Sequence, residues 1–268
     1  MKKSLIMGLM GLAVFGVRAA DDGNVYSSNI HANVKVETSS TNVLLAVPWT
    51  GYMADGAETS PLRVDHLVSP EGLTDGDLLL AVGGPRTYDS WMLDVKDGVG
   101  TWKAAKNVAK AEKFAKNLVY NTSDDATIER GLGLWLIREN PKDGEAWKPV
   151  HLYGQYATGE KVVTVTGSAS ATNSVLVAHP ACKQLALNGG TDVTWANVNA
   201  ADMLSIPNGT DAPDYAHWDA TTSRWYVTKT EKTARGIKNT KDYAVTVPAG
   251  QGFWYSRRAA GDVTITFQ

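Results

Sequence analysis

The sequence predicts an all-β protein: two homologous β-sandwich or barrel-like lobes from an internal duplication, with one amphipathic helix inserted in the first lobe. Three observations predict it. Short apolar segments alternate with period two or end at Pro, as strands do. A set of landmarks occurs twice in the same order. Residues 103–119 contain no Gly or Pro and repeat at helical spacing.

Composition bounds the problem. The chain has 268 residues, 43% apolar and 20% charged, enough for one large or two small domains with real cores. With 26 basic and 28 acidic residues, a net charge of −2 speaks against a general nucleic-acid surface. One Cys rules out an internal disulfide framework and any multi-cysteine metal site.

Lys2 and Lys3 precede an apolar run, residues 5–17, and Val17-Arg18-Ala19 offers a cleavage site. Residues 1–19 therefore read as a signal peptide of an exported, bacterial-style protein, periplasmic, surface-bound or extracellular. The run is too short to span a bilayer comfortably, so no transmembrane span is expected after cleavage. Loss of Lys2, Lys3 and Arg18 leaves 23 basic residues against 28 acidic, a net charge of −5.

The duplication is read from collinear matches. Val43-Leu44-Leu45-Ala46-Val47-Pro48 recurs as Val175-Leu176-Val177-Ala178-His179-Pro180, and Asp77-Leu78-Leu79 as Asp202-Met203-Leu204. Tyr88-Asp89-Ser90-Trp91 matches Tyr215-Ala216-His217-Trp218, and Trp102 matches Trp225. Gly131-Leu132-Gly133-Leu134-Trp135 matches Gly250-Gln251-Gly252-Phe253-Trp254, each with an Arg shortly after. The offset falls steadily from 132 through 127 and 123 to 119, as small deletions would make it. Repeat one spans residues 24–155 and repeat two residues 156–268.

Residues 33–37 and 163–166 alternate as half-buried strands do, and the runs ending at Pro48 and Pro180 suit central strands. Residues 88–103 read as a hairpin turning at Asp97-Gly98, and residues 219–223 take the turn's place in the second repeat. The Gly-x-Gly pairs require positive φ or close backbone approach. In the helix, Ala104, Val108, Ala111, Phe114, Ala115 and Leu118 share one side, and Lys103, Lys106, Lys110, Lys113 and Lys116 the other. Gly236 and the threonines of residues 229–241 argue for a loop.

Catalytic motifs are missing from the sequence. There is no Gly-x-Ser-x-Gly, His-Glu-x-x-His or phosphate-cradling Gly loop, and the five His are scattered singly. His179, opposite Val47 in the match, is expected to be exposed on its strand. Asp75-Gly76-Asp77 reads as a tight turn, not a calcium loop. Cys182 reads as a small buried thiol. No cofactor or metal is expected.

Charge and aromatics supply the candidate contacts. Residues 103–116 and 229–241 each carry five cations and one acid on an otherwise acidic chain. Lys106, Lys110, Lys113, Lys232, Arg235 and Lys238 are the expected surface for an anionic polysaccharide or cell-surface component. Duplicated Trp91, Trp102, Trp218 and Trp225 read as core. Trp49, Tyr52, Trp147 and Trp195 lack counterparts and are the candidate aromatic contacts. The expected function is a non-enzymatic exported β-protein of surface attachment or extracellular assembly. A carbohydrate-binding module is the alternative, and a glycoside hydrolase with unidentified carboxylates the third reading.

Overall fold

The computed structural model describes residues 18–19, 25–26, 31–38, 41–47, 49–50, 62–84, 87–105, 127–128, 130–142, 145–156, 160–180, 183–208, 211–233 and 236–268. Within them the chain is nearly all β, with several sheets and one helical turn. The strands of the first half are β1 (Arg18–Ala19), β2 (Val25–Tyr26), β3 (His31–Val36), β4 (Asn42–Ala46), β5 (Trp49–Thr50) and β6 (Leu62–Arg63). After the turn α1 (Val64–Leu67) come β7 (Leu78–Gly84), β8 (Thr87–Lys96), β9 (Val99–Ala104), β10 (Thr127–Ile128), β11 (Gly133–Ile137) and β12 (Val150–Tyr156). The second half has β13 (Lys161–Val165), β14 (Asn173–Ala178), β15 (Leu185–Ala186), β16 (Val193–Ala196), β17 (Met203–Asn208) and β18 (Asp211–Asp219). It ends with β19 (Arg224–Thr233), β20 (Gly236–Asp242), β21 (Thr246–Val247), β22 (Gly252–Arg257) and β23 (Val263–Phe267).

The larger sheet of the first half runs β4-β11-β7-β8-β9, and that of the second runs β14-β22-β17-β18-β19-β20. Numbered within each sheet, the orders are the same apart from the added strand β20. Facing them are three-stranded sheets, β3-β12-β5 and β13-β23-β16. One apolar cluster joins Val36, Val150 and Leu152 to Leu45, Leu79, Trp91, Trp102 and Leu134. A second joins Val165, Val193, Ile265 and Phe267 to Val177, Leu204, Trp225 and Phe253. Alternate residues of the paired sheets thus meet in each core, as in two-layer packing. Leu78, Leu80 and Met92 form another buried cluster with Ala105, because Leu78-Leu79-Leu80 is apolar on both faces.

The hairpin β8–β9 closes on Asp97 (φ 52) and Gly98 (φ 80), the two positive-φ residues that a tight twisted hairpin needs. Two expectations are corrected. Lys103 and Ala104 end strand β9 instead of opening a helix, and residues 106–126 lie outside the described residues. The stretch expected as a loop around Gly236 is the hairpin β19–β20, paired from Val227↔Asp242 to Thr233↔Gly236. Alternating Thr suits a pleated strand, and Gly236 sits at the turn with φ 122.

The two halves meet backbone to backbone. The Ala46 N–H donates to the Gly250 carbonyl (2.9 Å), and reciprocally the Ala178 N–H donates to the Gly131 carbonyl (3.0 Å). Leu45 bridges Gln251, and Leu132 bridges Val177. Small residues make this possible. Ala46 and Ala178 pack together, and Gly131 and Gly250 take φ of 87° and 75°. A Cβ on Gly133 would stand 2.5 Å from Leu176 Cγ and 3.1 Å from the Leu45 carbonyl oxygen. Beside the seam, Trp135 and Trp254 meet edge to face at 6.2 Å.

The tight approach makes a prediction. Gly133→Ala should lower stability by about 1–3 kcal/mol, the usual cost of overpacking. Combined with Leu176→Ala, which removes the clashing carbons, its added cost should largely vanish. Urea denaturation of the four-member mutant cycle checks this.

Candidate functional site

The site that the described residues support best is an open groove of about 790 Å³ in the second half. Trp195 and Thr194 of β16 line one side, and Trp218 of β18, Ser223 and Arg224 the other, with Asn197 nearby. Trp195 and Trp218 are half-buried, while Thr194, Ser223 and Arg224 are exposed. Both tryptophans lean edge-on against the fully buried Trp225, at 5.4 Å and 5.2 Å between ring centroids. Trp195 also stacks on Tyr255 at 6.2 Å and donates its indole N–H to the Leu187 carbonyl (3.0 Å). Packing on three sides therefore fixes its rotamer.

The groove's walls are held by polar networks. The Asn188 side-chain amide donates to the Trp225 and Tyr243 carbonyls, both at 2.8 Å, and its oxygen accepts the Trp225 N–H. That clamps residues 187–190 onto β19, leaving Gly189 and Gly190 at positive φ on the groove's edge. At the opposite turn, Asp219 accepts from Lys241 Nζ and the Tyr243 hydroxyl, each at 2.7 Å, and from the Thr221 N–H. These donors, Lys241 first, hold the Asp219 carboxyl well below the usual carboxylate range. The Arg224 guanidinium lies 4.9 Å over the Tyr243 ring.

Underneath runs a buried ion pair. Arg257 Nη1 donates to Asp202 Oδ2 (2.6 Å) and to the Asn197 carbonyl (3.1 Å), which ties a groove residue to the core. The Tyr255 hydroxyl donates to the same carboxylate oxygen at 2.8 Å. Burial, then Asp202, pushes the Tyr255 phenol far above its ordinary value, so it stays a hydrogen-bond donor. The first half carries the same residue types at the matched places. Asp77 lies 3.8 Å from Arg138, whose other donors reach the Thr38 hydroxyl and the Lys148 and Gly72 carbonyls. Asp75-Gly76-Asp77 is indeed a turn: Asp77 accepts the Thr74 and Glu139 N–H groups.

One difference between the halves lies beside the tryptophan pair. Val68 pairs with Leu152 of β12, and its carbonyl accepts the Trp102 indole N–H (2.8 Å). Trp195 pairs with Ile265 of β23, two residues into that strand as Leu152 is into β12. There the Trp225 indole N–H is buried without a partner among the described residues. A carbonyl-bonded valine closes the first site; a tryptophan lines the second.

The other expected contacts are placed as follows. Trp147 is half-buried beneath the Arg138 guanidinium, 5.2 Å from its ring, so it covers an ion pair. Trp49 lies in β5, with its side chain outside the described residues, as is Tyr52. Lys106, Lys110, Lys113 and Arg235 also lie outside them, as does Cys182. Lys232 and Lys238 are exposed, but their register, Lys232↔Ile237 and Lys238↔Glu231, puts them on opposite faces of the hairpin. Lys229 and Lys241 are engaged by Asp242 and Asp219. Trp91, Trp102 and Trp225 are core residues, whereas Trp218, read as core, reaches the groove. No metal-binding group of three His, Cys, Asp or Glu occurs among the described residues. No described helix is long and apolar enough to cross a membrane.

His179 is corrected too: it is 2% exposed, 5.5 Å from the Phe267 ring, because its position continues a core strand. No protein-family model, curated protein or solved structure matches the chain.

Two measurements follow. Asp202→Asn should cost about 3–5 kcal/mol in urea denaturation, because Arg257 is left as an uncompensated buried charge. Burial, then Lys183, lowers the His179 pKa to about 4, against a weaker opposing pull from Asp192. The unfolded chain then binds a proton that the folded one refuses. The stability difference is fully present above pH ~6.5 and is lost as pH falls toward 4. His179→Val should be less acid-labile than the parent across that window, by on the order of 3 kcal/mol.

Proposed function

We propose that this chain is an exported, non-enzymatic β-protein that attaches to a saccharide surface through the Trp195–Trp218 groove. The observation that carries the reading is the groove itself: two half-buried indoles, Trp195 held on three sides, in a groove also lined by hydroxyl and amide side chains. Sugar rings present apolar C–H faces that stack on indoles and hydroxyls that hydrogen-bond to such neighbours. The volume falls within the range of about 300–1,000 Å³ typical of small-molecule sites, room for a few sugar residues. Export is supported by the leader-like start, and attachment rather than turnover by the lack of a carboxylate among the described residues that line the groove.

The two halves are inferred to descend from a duplication. Support comes from the matching strand order, the paired Asp–Arg placements and the reciprocal seam hydrogen bonds. On this reading the first half kept a closed core and the second gained a binding surface. The seam then holds two related units with separate tasks.

A glycan array followed by titration tests the function. The parent protein should retain one class of oligosaccharide. Trp195→Val should lose binding by at least about tenfold, the scale of one aromatic contact. Because Trp195 also supports the core, Thr194→Tyr serves as a second variant that fills the groove from an exposed position. Loss of binding by Thr194→Tyr at unchanged thermal stability supports the site. Retained binding by both variants contradicts it.

A further inference from the structure

Resting on the saccharide reading of the groove, we infer that Asn197 sets its specificity: its side-chain amide reads two adjacent free hydroxyls on a neutral sugar ring. The inference starts from a matched pair of positions. Gly72 precedes Asp77 by the same interval that Asn197 precedes Asp202. Both take positive φ, 79° and 63°. Each carbonyl accepts a hydrogen bond from the buried arginine of its half, Gly72 from Arg138 (2.9 Å) and Asn197 from Arg257 (3.1 Å). The N–H groups of Thr74 and Asn199 donate to Asp77 and Asp202, both at 2.9 Å.

The residue itself differs. In the first half no side chain fits, because a Cβ on Gly72 would stand 3.1 Å from the Pro149 carbonyl oxygen and 3.2 Å from Lys148 Cβ. In the second half the position borders the groove, and Asn197 lines it as an exposed residue. Glycine adopts a positive φ freely, whereas asparagine holds it under mild strain. A strained residue beside a groove, where its counterpart is glycine, points to a use for its side chain. The Arg257 bond to its carbonyl locks the backbone, and Asp202 fixes Arg257 in turn.

The chemistry of the side chain selects the ligand. Among the described residues the Asn197 side-chain amide has no hydrogen-bond partner, whereas that of Asn188 is spent on Trp225 and Tyr243. A free amide places one acceptor and one donor side by side without charge. Two hydroxyls on neighbouring ring carbons match it, one donating to Oδ1 and the other accepting from Nδ2. Among the described lining residues the one charge is that of Arg224, whose guanidinium sits over Tyr243 on the sheet face opposite Trp218. A neutral ring stacked on an indole, with its hydroxyl pair on Asn197, therefore suits the groove better than an ionised sugar.

The test uses the full-length protein and two neutral glucose hexamers, cellohexaose and laminarihexaose. The 1,4-linkage of the first leaves the C2 and C3 hydroxyls free on every ring, whereas the 1,3-linkage of the second leaves no adjacent free pair on its internal rings. Followed by tryptophan fluorescence, cellohexaose should bind at least about tenfold more tightly, the scale of two net hydrogen bonds. Asn197→Gly removes the amide at a φ that glycine takes freely, so the ratio of the two affinities should collapse while the urea midpoint holds. Asn197→Asp keeps the volume but loses the N–H donors, and should narrow the ratio likewise. Equal binding of the two hexamers by the parent overturns the inference and leaves the saccharide reading standing. A preference that survives both variants also overturns it, since chain shape and not the amide would then discriminate. Failure of both hexamers to bind overturns it too: any other glycan retained on the array keeps the saccharide reading, and a blank array ends both.

Discussion

A buried arginine paired with an aspartate organises each half of this chain. Arg257 reaches Asp202, Asn197 and the carbonyls of Ala260 and Gly261 at once. Those contacts gather the loop before β17, the end of β22 and the turn before β23 around one charge. Such a pair is strong evidence of geometry and weak evidence of stability, since desolvation offsets much of the Coulomb attraction. What it secures is position. Asn197 is held at φ 63 beside the groove, and Tyr255, bonded to the same carboxylate, presents its ring to Trp195. The orientation of the proposed binding residue therefore rests on a charge that solvent does not reach.

The two halves contrast where the proposed groove lies. Both large sheets present a tryptophan pair on their third and fourth strands, Trp91 with Trp102 and Trp218 with Trp225. In the first half Val68 bonds to one indole and both rings are sealed. In the second, the bulk of Trp195 and the two-glycine loop at Gly189-Gly190 replace that closure. Apart from the added strand β20 the sheet order is unchanged, and around the tryptophan pair the halves differ at one strand residue and the loops beside it. Function on β-frames commonly resides in such edges and loops.

Much of the fold was legible in the chain. Periodicity marked the strands, Asp97-Gly98 marked a turn, and Gly-x-Gly marked close backbone approach, because each is a local steric requirement. The hairpin β19–β20 was obscured by its composition: a highly exposed strand has no apolar alternation, and Thr with Lys resembles a loop. His179 misled for the opposite reason, since a polar residue type was read as exposed although its strand continues into the core. The Asp and Arg landmarks were visible as matches, but their pairing is a tertiary fact. The groove was legible only in part. Trp195 stood out by lacking a counterpart, whereas Trp218 and Arg224 join it from strands more than twenty residues away, with no spacing rule to announce them.

The most direct test of the central claim is the indole region of an amide-correlation NMR spectrum recorded while an oligosaccharide identified on the array is titrated in. Binding in the groove predicts that the Trp195 and Trp218 Nε1–H resonances move with ligand while those of Trp91 and Trp102 stay fixed. Movement confined to Trp135 and Trp254 beside the seam, with Trp195 and Trp218 unmoved, would contradict it.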